Sequence, residues 1–547
     1  MDKEKILEVK DLKVIFHREN EISTAVEDVN FWLEQGETLG IVGESGSGKS
    51  VTALSLMGLL PYPAGEIVKG SIVFRDSESS ELSLLSLSEK QLQNIRGKEI
   101  GMIFQEPMTS LNPTLTCGYQ VAETMQWHLK INRKEAKMRT IEWFDEVRLP
   151  RPEAIFGSYP HQLSGGQKQR VMIAIAMSCN PRILIADEPT TALDVSIQKT
   201  ILDLMKELQE KHRMSIIFIT HDLALVSGFA DRTLVMYKGI IVEEGKTEQV
   251  FNSPKDRYTQ GLLMCRPPEN KRLKRLPVIE DFLDASRPLP VPEIENEKER
   301  KIRLERIYSQ PPILQVRDLE TLFPTHYSFF GKADSFVKAI DGVSFDAYPG
   351  ETLGIVGESG SGKTTLGRSI LLLIKSNSGK IVFDGLEIQN LTPKQMRKVR
   401  KDLQIIFQDP YSSLNPRLTA GAAIMEAMSS LSQYLKQDER KKRAIELLSM
   451  VGLGNEYFGR YPHEFSGGQR QRVCIARTLA VHPRLIICDE SVSALDVSIQ
   501  AQILNLLNSL KAEFGFTYIF ISHDLSVVRF MADRVIVMQN GVVKDSW

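Results

Sequence analysis

The chain has 547 residues, 42% of them hydrophobic and 25% charged, with a formal net charge of −1; such a balance describes a globular protein of about two to four domains and excludes a global basic field for nucleic acid. Five scattered cysteines (Cys117, Cys179, Cys265, Cys474 and Cys488) form no C-x-x-C pair, which fits a reducing compartment and argues against a zinc or iron–sulfur site. There is no apolar h-region in MDKEKILEVK and no run of about 18 apolar residues, so the expectation is a cytosolic chain with no secretory signal and no membrane span of its own.

In chain order, ETLGIVG (37–43) predicts a short apolar strand entering a glycine-rich loop, and VTALSLMGLL (51–60) has the apolar spacing of a helix behind it. The loop Gly43-Glu44-Ser45-Gly46-Ser47-Gly48-Lys49-Ser50 meets the pattern G-x-x-x-x-G-K-[ST]. Its glycines let successive N–H groups turn inward around an anion, while Lys49 reaches the β/γ-phosphates and Ser50 places a hydroxyl on Mg²⁺. A plain glycine-rich turn before a helix is the bland alternative. The stretch from about 110 to 165 lacks strand signals and predicts a helical insertion. RILIAD (182–187) then ends in an acid, as buried parallel strands do. Asp187 is suited to hold Mg²⁺ through its second shell, and Glu188 points the other way off the strand, toward an attacking water. An acidic pair could instead only cap the next helix. SIIFITH (215–221) ends in His221, which could equally be a lone surface histidine.

About residues 264–311 the character changes. CRPPENKRLKRLPVIEDFLDASRPLPVPEIENEKER is rich in proline and charge and lacks an apolar period, so it reads as a partly extended tether. KRLKR (271–275) reads as a solvated charge run rather than an anion patch.

The motifs then return. IVGESGSGKS (41–50) recurs as IVGESGSGKT (355–364), which supplies Gly357, Glu358, Ser359, Gly360, Ser361, Gly362, Lys363 and Thr364. FQEPMTSLNP (104–113) recurs as FQDPYSSLNP (407–416), LIADEPTTALDVSIQ (184–198) as IICDESVSALDVSIQ (486–500), and FITHDL (218–223) as FISHDL (520–525). Asp489, Glu490 and His523 thus repeat Asp187, Glu188 and His221. The phosphate loops are offset by 314 positions and the later motifs by 302 or 303, so the first copy carries extra residues near the serine-rich RDSESSELSLLSLSEK. Two matches in the same strand–loop–helix context remove the bland reading of the loop. The domains predicted are 1–263, a 264–311 linker and 312–547, each repeat an α/β core with a parallel sheet.

LSGGQKQR (163–170) and FSGGQRQR (465–472) narrow this further: with them both copies resemble the ATP-binding cassette family nearly end to end. The resemblance implies two tandem P-loop NTPase domains, each a RecA-like parallel-sheet core with an antiparallel β subdomain and a helical subdomain. It further implies that two cassettes meet head to tail, each ATP lying between the phosphate loop of one and the signature of the other. Ser164, Gly165, Gly166 and Gln167, and Ser466, Gly467, Gly468 and Gln469, would then contact the γ-phosphate, and Val51 and Thr365 would join the nucleotide contacts. Gln105 and Gln408 match the glutamine that senses Mg²⁺ and water and links to the membrane partner. Asp194 and Asp496 match the loop that crosses the dimer interface. Phe16 and Phe323 stand where an aromatic ring stacks on adenine, although each could simply close an apolar strand. An intramolecular cassette dimer answers why one chain repeats its loop: a single cassette holds only half of each site.

The run P-x-x-SLNP after each glutamine, with GESGSGKS, YPHQLSGGQ and DRYTQGLL, resembles the oligopeptide/dipeptide/nickel uptake subfamily, whose fused members serve glutathione, microcin or general peptide import. That implies an ATPase docked peripherally on the cytoplasmic face of the inner membrane. Its partners would be two integral-membrane permease subunits and an extracytoplasmic solute-binding protein, with no nucleic acid. A soluble two-cassette ATPase acting on the ribosome is the alternative; a DNA-repair ATPase would need zinc cysteines or long coiled-coil arms, and neither is present. Three departures stand out: Ser491 replaces Pro189, Phe465 replaces Leu163, and FNSPKDRYTQGLL (251–263) has no counterpart before Trp547. Neither glutamate, neither histidine and neither signature serine is replaced, however, which predicts two hydrolytic sites.

Overall fold

The computed structural model describes residues 4–547 except 19–20, 77–79, 106–109, 191–194, 269–270, 285, 287, 328–332, 430–435 and 494. The chain divides into two units, Met1–Leu263 with Ile279–Arg287, and Met264–Val278 with Pro288–Trp547.

In the first unit a six-stranded sheet has the order Ile240–Lys246, Arg232–Tyr237, Thr38–Val42, Ser215–Thr220, Ile183–Asp187, Ile100–Ile103. All pairings are parallel except that of Ile240–Lys246 with Arg232–Tyr237. The three central strands are buried at every position, which is why TLGIV, ILIAD and SIIFIT read as unbroken apolar runs rather than alternating ones. Register does the work for function. Val42 pairs with Thr220 and Asp187 with Ile219, so the chain leaves the sheet at Gly43, Glu188 and His221 along one edge. That is where open parallel sheets gather their chemistry. The second unit repeats the order with Val542–Ser546, Arg534–Gln539, Thr352–Val356, Thr517–Ile521, Leu485–Asp489 and Leu403–Ile406.

A four-stranded antiparallel sheet covers each core. In the first unit it runs Glu21–Glu34, Lys5–Arg18, Gly65–Arg75, Glu81–Ser83, and in the second Ala333–Ala347, Leu314–Tyr327, Ser378–Phe383, Leu386–Glu387. One hydrophobic cluster joins the sheets: Leu7, Val14, Phe31 and Phe74 pack with Leu39, Ile41, Ile185 and Ile217. The helical insertion holds Cys117–Leu129, capped by Thr116, and Arg133–Glu146, capped by Asn132, each cap satisfying an orphan N–H of the first turn. Ala420–Ser429 and Gln437–Met450 are its counterparts.

The 264–311 stretch differs from a loose tether. Residues 264–278 belong to the second unit, 279–287 return to the first, and the helix Glu297–Tyr308 lies on the second. KRLKR is not simply solvated either. Arg272 is 18% exposed, donates to Met531 O at 3.3 Å and to Ala532 O, and pairs with Glu295 at 3.2 Å and Asp533 at 3.4 Å. Asp533, fully buried, also meets Arg303 at 2.7 Å and Lys511 at 3.0 Å. A buried carboxylate draws in cations that burial would otherwise exclude. The acid stands 261 positions from Arg272, beyond what local composition can signal.

Candidate active sites

Each phosphate loop is fixed by its own lysine. Lys49 is buried and donates Nζ–H to the carbonyls of Gly43 at 2.8 Å and Glu44 at 2.7 Å. Lys363 does the same to Gly357 at 2.7 Å and Glu358 at 2.8 Å. The helices Lys49–Leu56 and Lys363–Ile370 start at Gly48 and Gly362, both left-handed, and no side chain caps them. A Cβ at Gly48 would lie 2.8 Å from Ala25 O, and one at Gly362 2.2 Å from Ala339 O. Only glycine turns the loop there without striking the antiparallel sheet.

Beside the loop, Ser50 Oγ donates to Asp187 Oδ1 at 3.0 Å and Thr364 Oγ1 to Asp489 Oδ1 at 2.9 Å. Burial pushes the Asp187 carboxyl up to about 6, against the Ser50 hydrogen bond and the Lys49 charge, which both pull it down. Burial raises Asp489 too, and its Oδ2 is buried without a hydrogen-bond partner. A hydroxyl beside a desolvated carboxylate with an oxygen to spare is a donor set that suits a hard divalent cation such as Mg²⁺.

The next residue in each copy bends sharply. Glu188 has φ +48° and Glu490 φ +47°, left-handed values that a glutamate adopts only when its surroundings hold it there. The hold is visible: Glu188 N–H donates to Ile219 O at 2.9 Å and Glu490 N–H to Ile521 O at 3.0 Å. Each carboxylate is then gripped from two sides. Gln105 Nε2 donates to Glu188 Oε2 at 3.1 Å while His221 Nδ1 sits 3.1 Å from Oε1. Gln408 Nε2 donates to Glu490 Oε2 at 3.0 Å, with His523 Nδ1 at 3.4 Å. Burial alone would raise the Glu490 carboxyl, but the His523 hydrogen bond and charge, with Lys363, outweigh it and leave it lowered.

The signatures open helices. Gln167 N–H donates to Ser164 Oγ at 3.4 Å and Ser164 N–H to Gln167 Oε1 at 3.0 Å, a capping box at the start of Gly165–Met177. Ser466 and Gln469 repeat it at 3.4 and 3.1 Å. Ser164, Gly165, Ser466 and Gly467 are exposed. The inner glycines are there for packing. A Cβ on Gly166 would lie 3.2 Å from Ile197 Cγ2, and on Gly468 2.4 Å from Ile499 Cγ2.

The remaining expected residues are placed unevenly. Asp194 lies outside the described residues, whereas Asp496 is half-buried and opens the helix Val497–Phe514 without a side-chain cap bond. Phe16 packs against the core of the first unit, but Phe323 is 40% exposed, so the two rings are not equivalent. One contact was missed in the sequence: Glu44 N–H donates to Tyr258 Oη at 3.1 Å. Its sequence signal is DRYTQGLL, which lies within the 251–263 stretch that has no counterpart in the second copy.

These features define a two-copy P-loop nucleotide hydrolase. The model of the ABC transporter family matches residues 26–191 and 340–493, and an AAA-domain model also matches 157–227. The glutathione import ATP-binding protein GsiA of Salmonella choleraesuis (strain SC-B67) is 48% identical over 544 residues, covering 99% of this chain and 86% of that protein. The protein of that name from Escherichia coli O157:H7 is 47% identical over 545 residues with the same coverage. The dimeric structure of MJ0796, a bacterial ABC transporter cassette, is 30% identical over 43% of this chain and 97% of its own, with a TM-score of 0.39. The chain belongs to the ABC transporter family and is an ATP-binding, ATP-hydrolysing protein.

Proposed function

We propose that this chain energises the inward transport of glutathione or similar peptides, by closing two cassettes head to tail around two ATP molecules. The single observation that carries the reading is that phosphate loop, strand-end aspartate, glutamate, glutamine, histidine and signature are all present in both copies, in a chain 48% identical to a glutathione import ATP-binding protein over 99% of its length. In each site Lys49 or Lys363 exchanges its loop carbonyls for the β/γ-phosphates, and the signature serine of the other cassette closes on the γ-phosphate. Ser50, Asp187 and Gln105, and Thr364, Asp489 and Gln408, would hold Mg²⁺, which neutralises phosphate charge when bound. Glu188 and Glu490 take the proton of the attacking water, held in aim by the glutamine and histidine on either side. Phe16 and Phe323 would stack on adenine, and Asp194 and Asp496 would lie at the closed interface.

No helix among the described residues is long and apolar enough to cross a membrane. Transport therefore needs partners: two integral-membrane permease subunits, fed by an extracytoplasmic solute-binding protein, with the chain peripheral on the cytoplasmic face. Residues 107–130 and 410–435 are proposed to seat a short permease helix. Within them Trp127 is 58% and Tyr411 56% exposed, and a cavity of about 540 Å³ is lined by Leu418, Ala422 and Met425 from the second stretch and by Arg440 from beyond it; positions 107–109 and 430–435 lie outside the described residues. The test is glutathione or peptide uptake and basal ATP hydrolysis measured on one reconstituted complex, with Trp127→Ala and Tyr411→Ala. Uptake should fall while basal hydrolysis holds. A proportional fall in both, with assembly intact, would sink the coupling assignment, and failure to associate with any permease would sink the transport reading. The ribosomal alternative gains no support from the relatives.

A further inference from the structure

We propose that Tyr258 is a positioning residue for the first ATP site, its hydroxyl fixing the phosphate loop through the Glu44 N–H; this rests on the loop binding ATP as proposed above. The peptide linking Gly43 to Glu44 is held at both ends. Its carbonyl, Gly43 O, accepts from Lys49 at 2.8 Å, and its N–H donates to Tyr258 Oη at 3.1 Å. The lysine bond and the tyrosine bond have different fates. Lys49 must leave its carbonyls to reach phosphate, whereas Tyr258 has no such duty, so its bond is the one that keeps this peptide oriented while the site is loaded.

The tyrosine is built to do this. Its ring is buried, 1% exposed, and lies 4.2 Å from the ring of Tyr237. Its helix, Arg257–Met264, is anchored on both sides. At the start, Glu243 on the main sheet accepts the N–H groups of Lys255 at 2.8 Å and Asp256 at 3.1 Å, and Asp256 accepts the Tyr258 N–H at 2.8 Å. Further along, the fully buried Phe282 packs on Gly261, and Arg257 Nη1 donates to Asp284 O at 2.9 Å. A hydroxyl on so rigid a support constrains the loop without first having to be ordered itself.

The test uses Tyr258→Phe in the full chain, which deletes the hydroxyl and keeps the ring. Lys363→Ala is added so that ATP binding reports the first site. ATP affinity there should weaken about 3- to 10-fold, the usual effect of losing one uncharged hydrogen bond, with turnover at saturating ATP little changed. Amide hydrogen exchange at Glu44 should accelerate without nucleotide. In the unmodified chain that amide should be protected, and exchange at an open-loop rate would overturn the proposal without any variant. Unchanged affinity, or weaker affinity with unchanged exchange, would also overturn it. Lys49→Ala separates the two readings. If it leaves first-site binding intact, the loop is not the phosphate site; if it abolishes binding while Tyr258→Phe changes nothing, only the role of Tyr258 falls.

Discussion

Gln105 and Glu188 are joined by a hydrogen bond of 3.1 Å, and Gln408 and Glu490, about three hundred positions on, by one of 3.0 Å. Two glutamates in left-handed backbone each meet a glutamine and a histidine, on different oxygens at Glu188 and on one shared oxygen at Glu490. Replacing both, Glu188→Gln with Glu490→Gln, should leave ATP binding in place and slow hydrolysis by about 10²–10⁴. Filter binding and phosphate release on the same preparation check this; near-normal turnover would remove these residues as bases.

If each site is shared between cassettes, Ser466→Ala should weaken nucleotide at the Lys49 loop and Ser164→Ala at the Lys363 loop. Pairing Lys49→Ala with Ser466→Ala should spare the other site, while pairing it with Ser164→Ala should damage both. Site-resolved photolabelling with an azido-ATP decides it. Labelling of the Lys363 loop alone responding to Ser466→Ala would rule out the head-to-tail arrangement.

The inner signature glycines should differ in tolerance. A methyl at position 468 meets Ile499 at 2.4 Å, but at 166 it meets Ile197 at 3.2 Å. Gly468→Ala should therefore cost about 1–3 kcal/mol and Gly166→Ala distinctly less. Adding Ile499→Ala should recover part of the loss in a thermal scan. Equal effects at the two positions would contradict the packing described.

Asp533 gives the second unit a pH dependence. Burial alone would raise its carboxyl, but the charges of Lys511, Arg272 and Arg303 outweigh this and hold it well below the usual carboxylate range. A depressed folded value means the stabilisation is complete above the unfolded value, near 4, and drains away as pH falls below it. Asp533→Asn should flatten that acid limb in exchange measurements on the second unit. Asp533→Ala should cost about 3–5 kcal/mol at neutral pH by stranding the cations. A variant as acid-sensitive as the parent would show that other groups set the dependence.

What could be read in advance tracks how local the cause is. The strands TLGIV and ILIAD, the loop after Val42 and the acid at 187 declare themselves because each depends on a few consecutive residues and on burial of both sheet faces. The left-handed turn at Glu188 does not, because it follows from a hydrogen bond to Ile219 on the neighbouring strand. Arg272 looked solvated because its acid lies at the other end of the chain. Tyr258 went unnoticed because a phenol touching a backbone N–H leaves no spacing pattern at all. Phe16 and Phe323 occupy matching places in the repeat, yet their exposure differs in ways the alignment could not express.

The exchange of segments around residues 264–287 bears on how this protein can be taken apart. A break after Leu263 would strip the first unit of 279–287, and with it the Phe282 side chain that packs over Gly261. A break after Arg287 would instead take 264–278 from the second unit, removing Arg272 from the buried Asp533. No single cut in this stretch yields two whole cassettes. The fusion is therefore more than a convenience of synthesis: the two halves interleave along the chain, and separately expressed halves would each have to be extended past the crossing, as 1–287 and 264–547, and share the overlap.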